Sequence, residues 1–215
     1  NELPVGVWKH LVFVHDGAKD KIFIDGVLKA EKNVVGTLNS TTKPLGIGYN
    51  PIDGGNWFDG AIDELAIYNT ALSDSEISSL YAAQSAFPGT PNELVAVYHL
   101  NGNGEDASGL HNDAVVSETA TAGANRHNWA SNALSGYATA DNSAALQSDY
   151  TTISFWVKPN SFPGSGEVFL LSNGGWQERW KISLPGHGKP VFPTHSGGAC
   201  CSDLDSGTPL ALNTW

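Results

Sequence analysis

Apolar and polar positions in this chain alternate in short bursts broken by turn residues; helical spacing appears only once. Leu11-Val12-Phe13-Val14 is a continuous apolar run of strand length. Lys21-Ile22-Phe23-Ile24 follows and ends in Asp25-Gly26, a hairpin signal. Residues 153–158 (Ile-Ser-Phe-Trp-Val-Lys) alternate as a half-buried strand does, with β-branched and aromatic residues enriched. The 24 glycines and 11 prolines are spread as punctuation, which predicts many short strands and a β-sandwich. The exception is a single helix. Ser73 and Glu76 form a capping box, and Ile77, Leu80 and Tyr81 make the apolar stripe behind it, running to about Gln84. Pro88 and Pro91 with Gly89 cannot continue that helix, so the pattern predicts a linker at 88–92 between segments 1–87 and 93–215.

Composition narrows the functions. At 215 residues the chain can bury one proper all-β core. Acidic residues outnumber basic ones by 22 to 11, giving a formal charge of −11. Nucleic acid and anionic membrane surfaces both need basic patches, so neither is an expected partner, whereas a cation is compatible. No apolar run approaches the roughly 20 residues that span a bilayer, and no membrane insertion is expected. The two cysteines, Cys200 and Cys201, are adjacent. Neighbouring Cα atoms lie about 3.8 Å apart, closer than ordinary disulfide geometry prefers. A strained vicinal disulfide, bridges to other chains and two free thiols all remain open, the vicinal ring being the first reading.

The order of the parts is unusual. Trp8-Lys9-His10, the hairpin ending in Ile24-Asp25-Gly26, Leu45-Gly46-Ile47-Gly48, and above all Phe58-Asp59-Gly60-Ala61-Ile62-Asp63-Glu64-Leu65-Ala66-Ile67-Tyr68 follow one another in segment 1–87. Through them residues 1–87 resemble the C-terminal half of a LamG-like (laminin G-like) jelly-roll domain of the concanavalin A-like lectin/glucanase superfamily. Residues 93–215 resemble the N-terminal half, through Leu94-Val95-Ala96-Val97-Tyr98-His99-Leu100, Asp106-Ala107-Ser108-Gly109 and Ile153-Ser154-Phe155-Trp156-Val157. The halves stand in reverse order, and Pro4–Trp8 and Leu210–Trp215 look like the same lead-in. The expectation is either one permuted sandwich or parts of two consecutive repeats, with each half completing a neighbouring copy. The resemblance implies a concanavalin A-like β-sandwich with one short helix.

It also implies a structural calcium, tethering the first loop of the sandwich to the acid of the late strand. Carried over, Asp106 and Asp63 are the carboxylate ligands and Asn112 or nearby carbonyls complete the shell. The loop 101–113 is rich in the oxygen donors that calcium takes. The bland alternative is an Asx-type turn at Asp106 and a buried acid at Asp63. Asp203 and Asp205, beside the cysteine pair, are either a second cation site or solvated.

Catalysis is not expected. Glycosidases need two carboxyl groups flanking the scissile bond, and glucanases of this superfamily carry them in a Glu-x-Asp-x-x-Glu strand pattern that this chain lacks. Asp63 and Glu64 are consecutive, so on a regular strand they face opposite ways. The seven histidines show no metal-ligand spacing, and His10 and His15 read as surface or turn residues. Sugars stack on exposed aromatics, which singles out Trp57 and Trp176 on glycine-rich loops as glycan-binding candidates. The combined expectation is a non-catalytic extracellular or cell-surface unit of structural or adhesive role, associating with other copies of itself and stabilised by calcium. A lectin-type glycan-binding module is the alternative.

Overall fold

The computed structural model describes residues 3–83, 93–124, 133–174, 178–196 and 199–207, with the side chains of 199–202 excepted. The first strands are β1 (Lys9–His15), β2 (Lys19–Ile24), β3 (Val27–Asn33), β4 (Leu45–Ile47) and β5 (Gly60–Tyr68). The helix α1 (Asp74–Ala83) precedes β6 (Leu94–Tyr98), β7 (Ala114–Val116), β8 (Thr121–Gly123), β9 (Ala133–Ser135) and β10 (Ala138–Ala140). Last come β11 (Thr151–Pro159), β12 (Glu167–Asn173), β13 (Trp180–Pro185), β14 (Val191–Ser196) and β15 (Ala199–Asp205). They form two antiparallel sheets. One has the order β3-β2-β1-β11-β5-β9-β8, with β6 also pairing β5, and the other β15-β14-β13-β12-β4-β10-β7. The architecture is the all-β sandwich with one short helix that the patterning predicts.

Both sheets draw strands from both sides of segment 84–92. β11 lies between β1 and β5, and β4 lies between β12 and β10. The expected linker 88–92 is outside the described residues.

The continuous apolar run of β1 has a physical cause. Leu11 and Phe13 point into the core between the sheets, where they meet Phe155, Ile153 and Phe192. Val12 and Val14 point the other way, yet they too are buried, because α1 covers that face with Ile77 and Leu80. A strand covered on both faces reads as uniformly apolar. The helix starts where expected: Glu76 Oε2 accepts from the Ser73 backbone N–H at 2.7 Å, and Ser73 Oγ accepts from the Glu76 N–H at 3.3 Å. Asp25 (φ 53°) and Gly26 (φ 75°) make the two-residue turn between β2 and β3.

His10 and His15 are not surface residues. Both sit on β1, a central strand under the helix, and are almost wholly buried. His10 Nε2 lies 2.9 Å from Ser154 Oγ, and its ring packs against Tyr81 and Trp156. His15 Nδ1 lies 2.7 Å from Asp20 Oδ1, and Thr194 of the other sheet donates to Asp20 Oδ2 at 2.6 Å. This polar bridge fastens one sheet to the other.

Candidate functional site

The loop after β4 builds an aromatic cluster on the β4–β10 end of the second sheet. Gly48 takes φ 78°, and a Cβ there would sit 2.4 Å from the Gly136 carbonyl oxygen, so only glycine lets this turn press against the connection between β9 and β10. The next residue, Tyr49, is bonded through its hydroxyl to Thr139 Oγ1. Asn50 closes an Asx turn by accepting from the Ile52 N–H at 3.0 Å, and its own N–H donates to Gly55 at 2.9 Å. Asn56, at φ 56°, clamps the loop to β12. Its side-chain amide donates to the Glu167 carbonyl at 2.8 Å, and its carbonyl accepts from Phe169 at 2.8 Å.

These bonds hold Trp57 in a fixed place. Its ring stacks on Tyr49 with centroids 5.1 Å apart and planes at 8°, and meets Tyr137 at 4.5 Å. Such offset and tilted pairs suit the aromatic quadrupole. Trp57 nevertheless stays 48% exposed. Trp57, Phe58 and Tyr137, with Gly48, Gly136 and Thr119, line a cleft of about 330 Å³ that carries no charged side chain among the described residues. The arrangement offers a preorganised apolar face with a hydroxyl rim, which is the chemistry that takes a pyranose ring.

Of the other expected glycan residue, Trp176, nothing is described. Tyr49 and Tyr137 escaped the sequence reading. Their signal was present: each aromatic directly follows a glycine with positive φ, Gly48 and Gly136.

The expected calcium residues are all buried, but not as a cation shell. Asp106 Oδ1 accepts from the N–H groups of Val97 and Ser108, both at 2.9 Å. Its Oδ2 accepts from the Asn112 N–H and the Ser108 hydroxyl, again at 2.9 Å. All four acceptor positions of the carboxylate are thereby used. Asn112 turns its amide inwards to donate to the Val95 carbonyl at 2.8 Å. Asp63 is buried in β5 opposite Trp156. Among the described residues no group of three or more His, Cys, Asp or Glu side chains is placed to hold a metal ion. Calcium takes six to eight oxygen ligands, and the Asp106 carboxylate, with its acceptor positions taken by its own loop, has no free lone pair to give one. Asp106 closes a buried Asx-type turn.

Glu64 departs from regular strand geometry. The β5–β11 register shifts between Ser154 and Trp156, and Glu64 takes φ 50° in that bulge. The bulge re-aims its carboxylate so that Oε2 lies 2.8 Å from His99 Nδ1. This hydrogen bond, aided by the charges of Glu64 and Asp63 against opposing desolvation, raises the His99 pKa above its ordinary 6.5. The pair therefore contributes stability that is fully present below pH 6.5 and fades as pH rises through the folded-state value. Because the His99 side chain is 44% exposed, that contribution is small. An NMR titration should show the His99 ring above 6.5 in the native chain and Glu64→Gln lowering it; an unchanged midpoint would refute the pairing.

Cys200 and Cys201 lie in β15, and their side chains are outside the described ones.

With the fold and these sites in view, comparison with known families is decisive. The laminin G model of the concanavalin A-like lectin/glucanases superfamily matches residues 1–78 and 131–215. The chain belongs to this superfamily. No curated protein and no solved structure matches it. Laminin G-like domains are generally non-catalytic and typically extracellular. Among the described residues, no helix is long and apolar enough to cross a membrane.

Proposed function

We propose that this laminin G-like domain is a non-catalytic, extracellular glycan-binding module whose saccharide site is the cleft of Trp57 and Tyr137, with Tyr49 stacked beneath Trp57. The carrying observation is Trp57 itself, a large indole held rigidly by ring stacking yet about half open to solvent over a cleft. Burying such a surface in the protein would be the ordinary outcome; keeping it exposed leaves it available to a ligand. Rigidity matters because a preformed site loses little conformational entropy when ligand binds.

Self-association into an array is the weaker reading. Half a sandwich would expose unpaired edges and need a neighbouring copy. Here β1, β11 and β5 pair within one chain, which supports completion of the sandwich without a neighbouring copy. Light scattering behind size exclusion should give a 22.7 kDa species at every concentration. An adhesive role fits this proposal if the glycan sits on a neighbouring surface.

The test is a screen of soluble oligosaccharides by calorimetry, followed by titration of Trp57→Ala and Tyr137→Ala. Losing one stacked aromatic face should weaken binding about tenfold or more, equivalent to about 1.4 kcal/mol. Binding that ignores both substitutions would remove the cleft from the site. Absence of any saccharide ligand would remove the glycan reading.

A further inference from the structure

We propose that the segment Leu210–Trp215 is a second occupant of the groove that Leu3–Trp8 fills, so that two segments of one chain compete for a single docking site. This inference does not depend on the glycan reading.

The groove holds Leu3–Trp8 at its two ends and in the middle. Leu3 is almost wholly buried in the core cluster, and its N–H donates to the Gly188 carbonyl at 2.6 Å. Gly6, at φ 75°, donates to the Pro159 carbonyl at 2.6 Å. The Trp8 ring lies 5.4 Å from the Lys158 ammonium, a cation–π contact. Val5 and Val7, in between, are about half exposed and carry little of the recognition. The groove therefore selects the pattern Leu-x-x-Gly-x-Trp.

Leu210-Ala211-Leu212-Asn213-Thr214-Trp215 repeats that pattern in register, with the same leucine and the same tryptophan five positions apart. Asn213 stands where Gly6 does. Asparagine is among the few residues besides glycine that visit the left-handed region routinely. A Cβ at Gly6 would meet nothing within 4 Å, so the groove has room for the asparagine side chain. The remaining differences fall at Pro4, Val5 and Val7, which make none of the anchoring contacts.

The connection brings the second segment to the right place. The Ser206 N–H donates to the Pro190 carbonyl at 3.1 Å, two residues from the Gly188 carbonyl that holds Leu3. Two residues of chain span at most about 7 Å, whereas the four from Ser206 to Leu210 reach about 14 Å. Leu210 can therefore arrive where Leu3 sits, and both segments enter the groove from the same end and run the same way. A tether this short gives an effective concentration on the order of millimolar, which makes the same chain the source, in preference to a second copy. Exchange frees Leu3–Trp8 without unpicking the sheet, because β1 is paired with β11 along its whole length.

The experiment is a thermal double-mutant cycle in the full chain. A buried leucine that nothing replaces should cost about 10 °C in the midpoint when cut to alanine. Leu3→Ala is expected to cost less than about 3 °C, because Leu210–Trp215 takes over the groove. Leu210→Ala alone should leave the midpoint unchanged, and the two together should give the full loss of about 10 °C. A synthetic peptide of residues 208–215 should restore the midpoint of the double variant saturably, and the same peptide with Leu210→Ala should not. Light scattering should show Leu3→Ala as a monomer. The proposal is overturned if Leu3→Ala alone gives the full loss, if the double variant is no worse than the sum of the single ones, or if Leu3→Ala dimerises, which would place a second copy in the groove.

Discussion

Replacing Asp20 by alanine should be among the most damaging single changes in this domain, lowering stability by about 3–5 kcal/mol. Asp20 is fully buried between His15 on its own sheet and Thr194 on the other. His15 Nε2 lies 3.1 Å from the Gly36 carbonyl. A carbonyl can only accept, so the ring donates to it through Nε2. Deleting the carboxylate strands both the imidazole and the Thr194 hydroxyl in a site without water access. Removing one partner of a buried polar pair costs far more than removing the pair, because the survivor keeps its desolvation penalty. The thermal midpoint should therefore fall by roughly 10 °C, at about 2–4 °C per kcal/mol for a domain of this size. Apolar replacement of all three together (His15→Leu, Asp20→Leu, Thr194→Val) should recover much of that loss. If Asp20→Ala shifts the midpoint by less than about 2 °C, the bridge does not hold the sheets together.

That bridge also shows where the sequence stops being readable. His15 and Asp20 are close in sequence, but their burial depends on the second sheet and its Thr194, which arrive from far along the chain. The Leu11–Val14 run, the Asp25-Gly26 turn and the Ser73–Glu76 cap were legible because each is decided by neighbours within a few residues. The aromatic cleft was half legible. Trp57 advertised itself in a glycine-rich loop, whereas Tyr137 joined it only because Gly48 packs against Gly136 across two strands. Glu64 was misjudged as a regular strand residue, since the bulge that redirects it to His99 is set by register with β11. The acidic loop exposed the limit of composition: oxygen donors suit calcium equally well whether they face outwards or are consumed by their own backbone.

Asp106 decides that last point, and its replacement should rank with that of Asp20. Alanine at this position removes the acceptor for four donors at once, three of them backbone N–H groups, of Val97, Ser108 and Asn112, the bonds from Val97 and Asn112 being buried. An unsatisfied buried donor costs about 1–3 kcal/mol, so the loss should reach about 3–5 kcal/mol. Asparagine is an informative intermediate. Its oxygen can keep the bonds from Val97 and Ser108, but its amide nitrogen then confronts the Asn112 N–H, donor against donor, and roughly half the loss should remain. Chelation separates this account from a metal site. A calcium ion bound only to the native state would stabilise it in proportion to its saturation, so stripping it would lower the midpoint. With the carboxylate fully occupied by its own loop, excess chelator should leave the midpoint within about 1 °C, while Asp106→Asn and Asp106→Ala lower it in that order. A large fall on chelation, abolished in Asp106→Ala, would instead show that the loop opens to admit the ion.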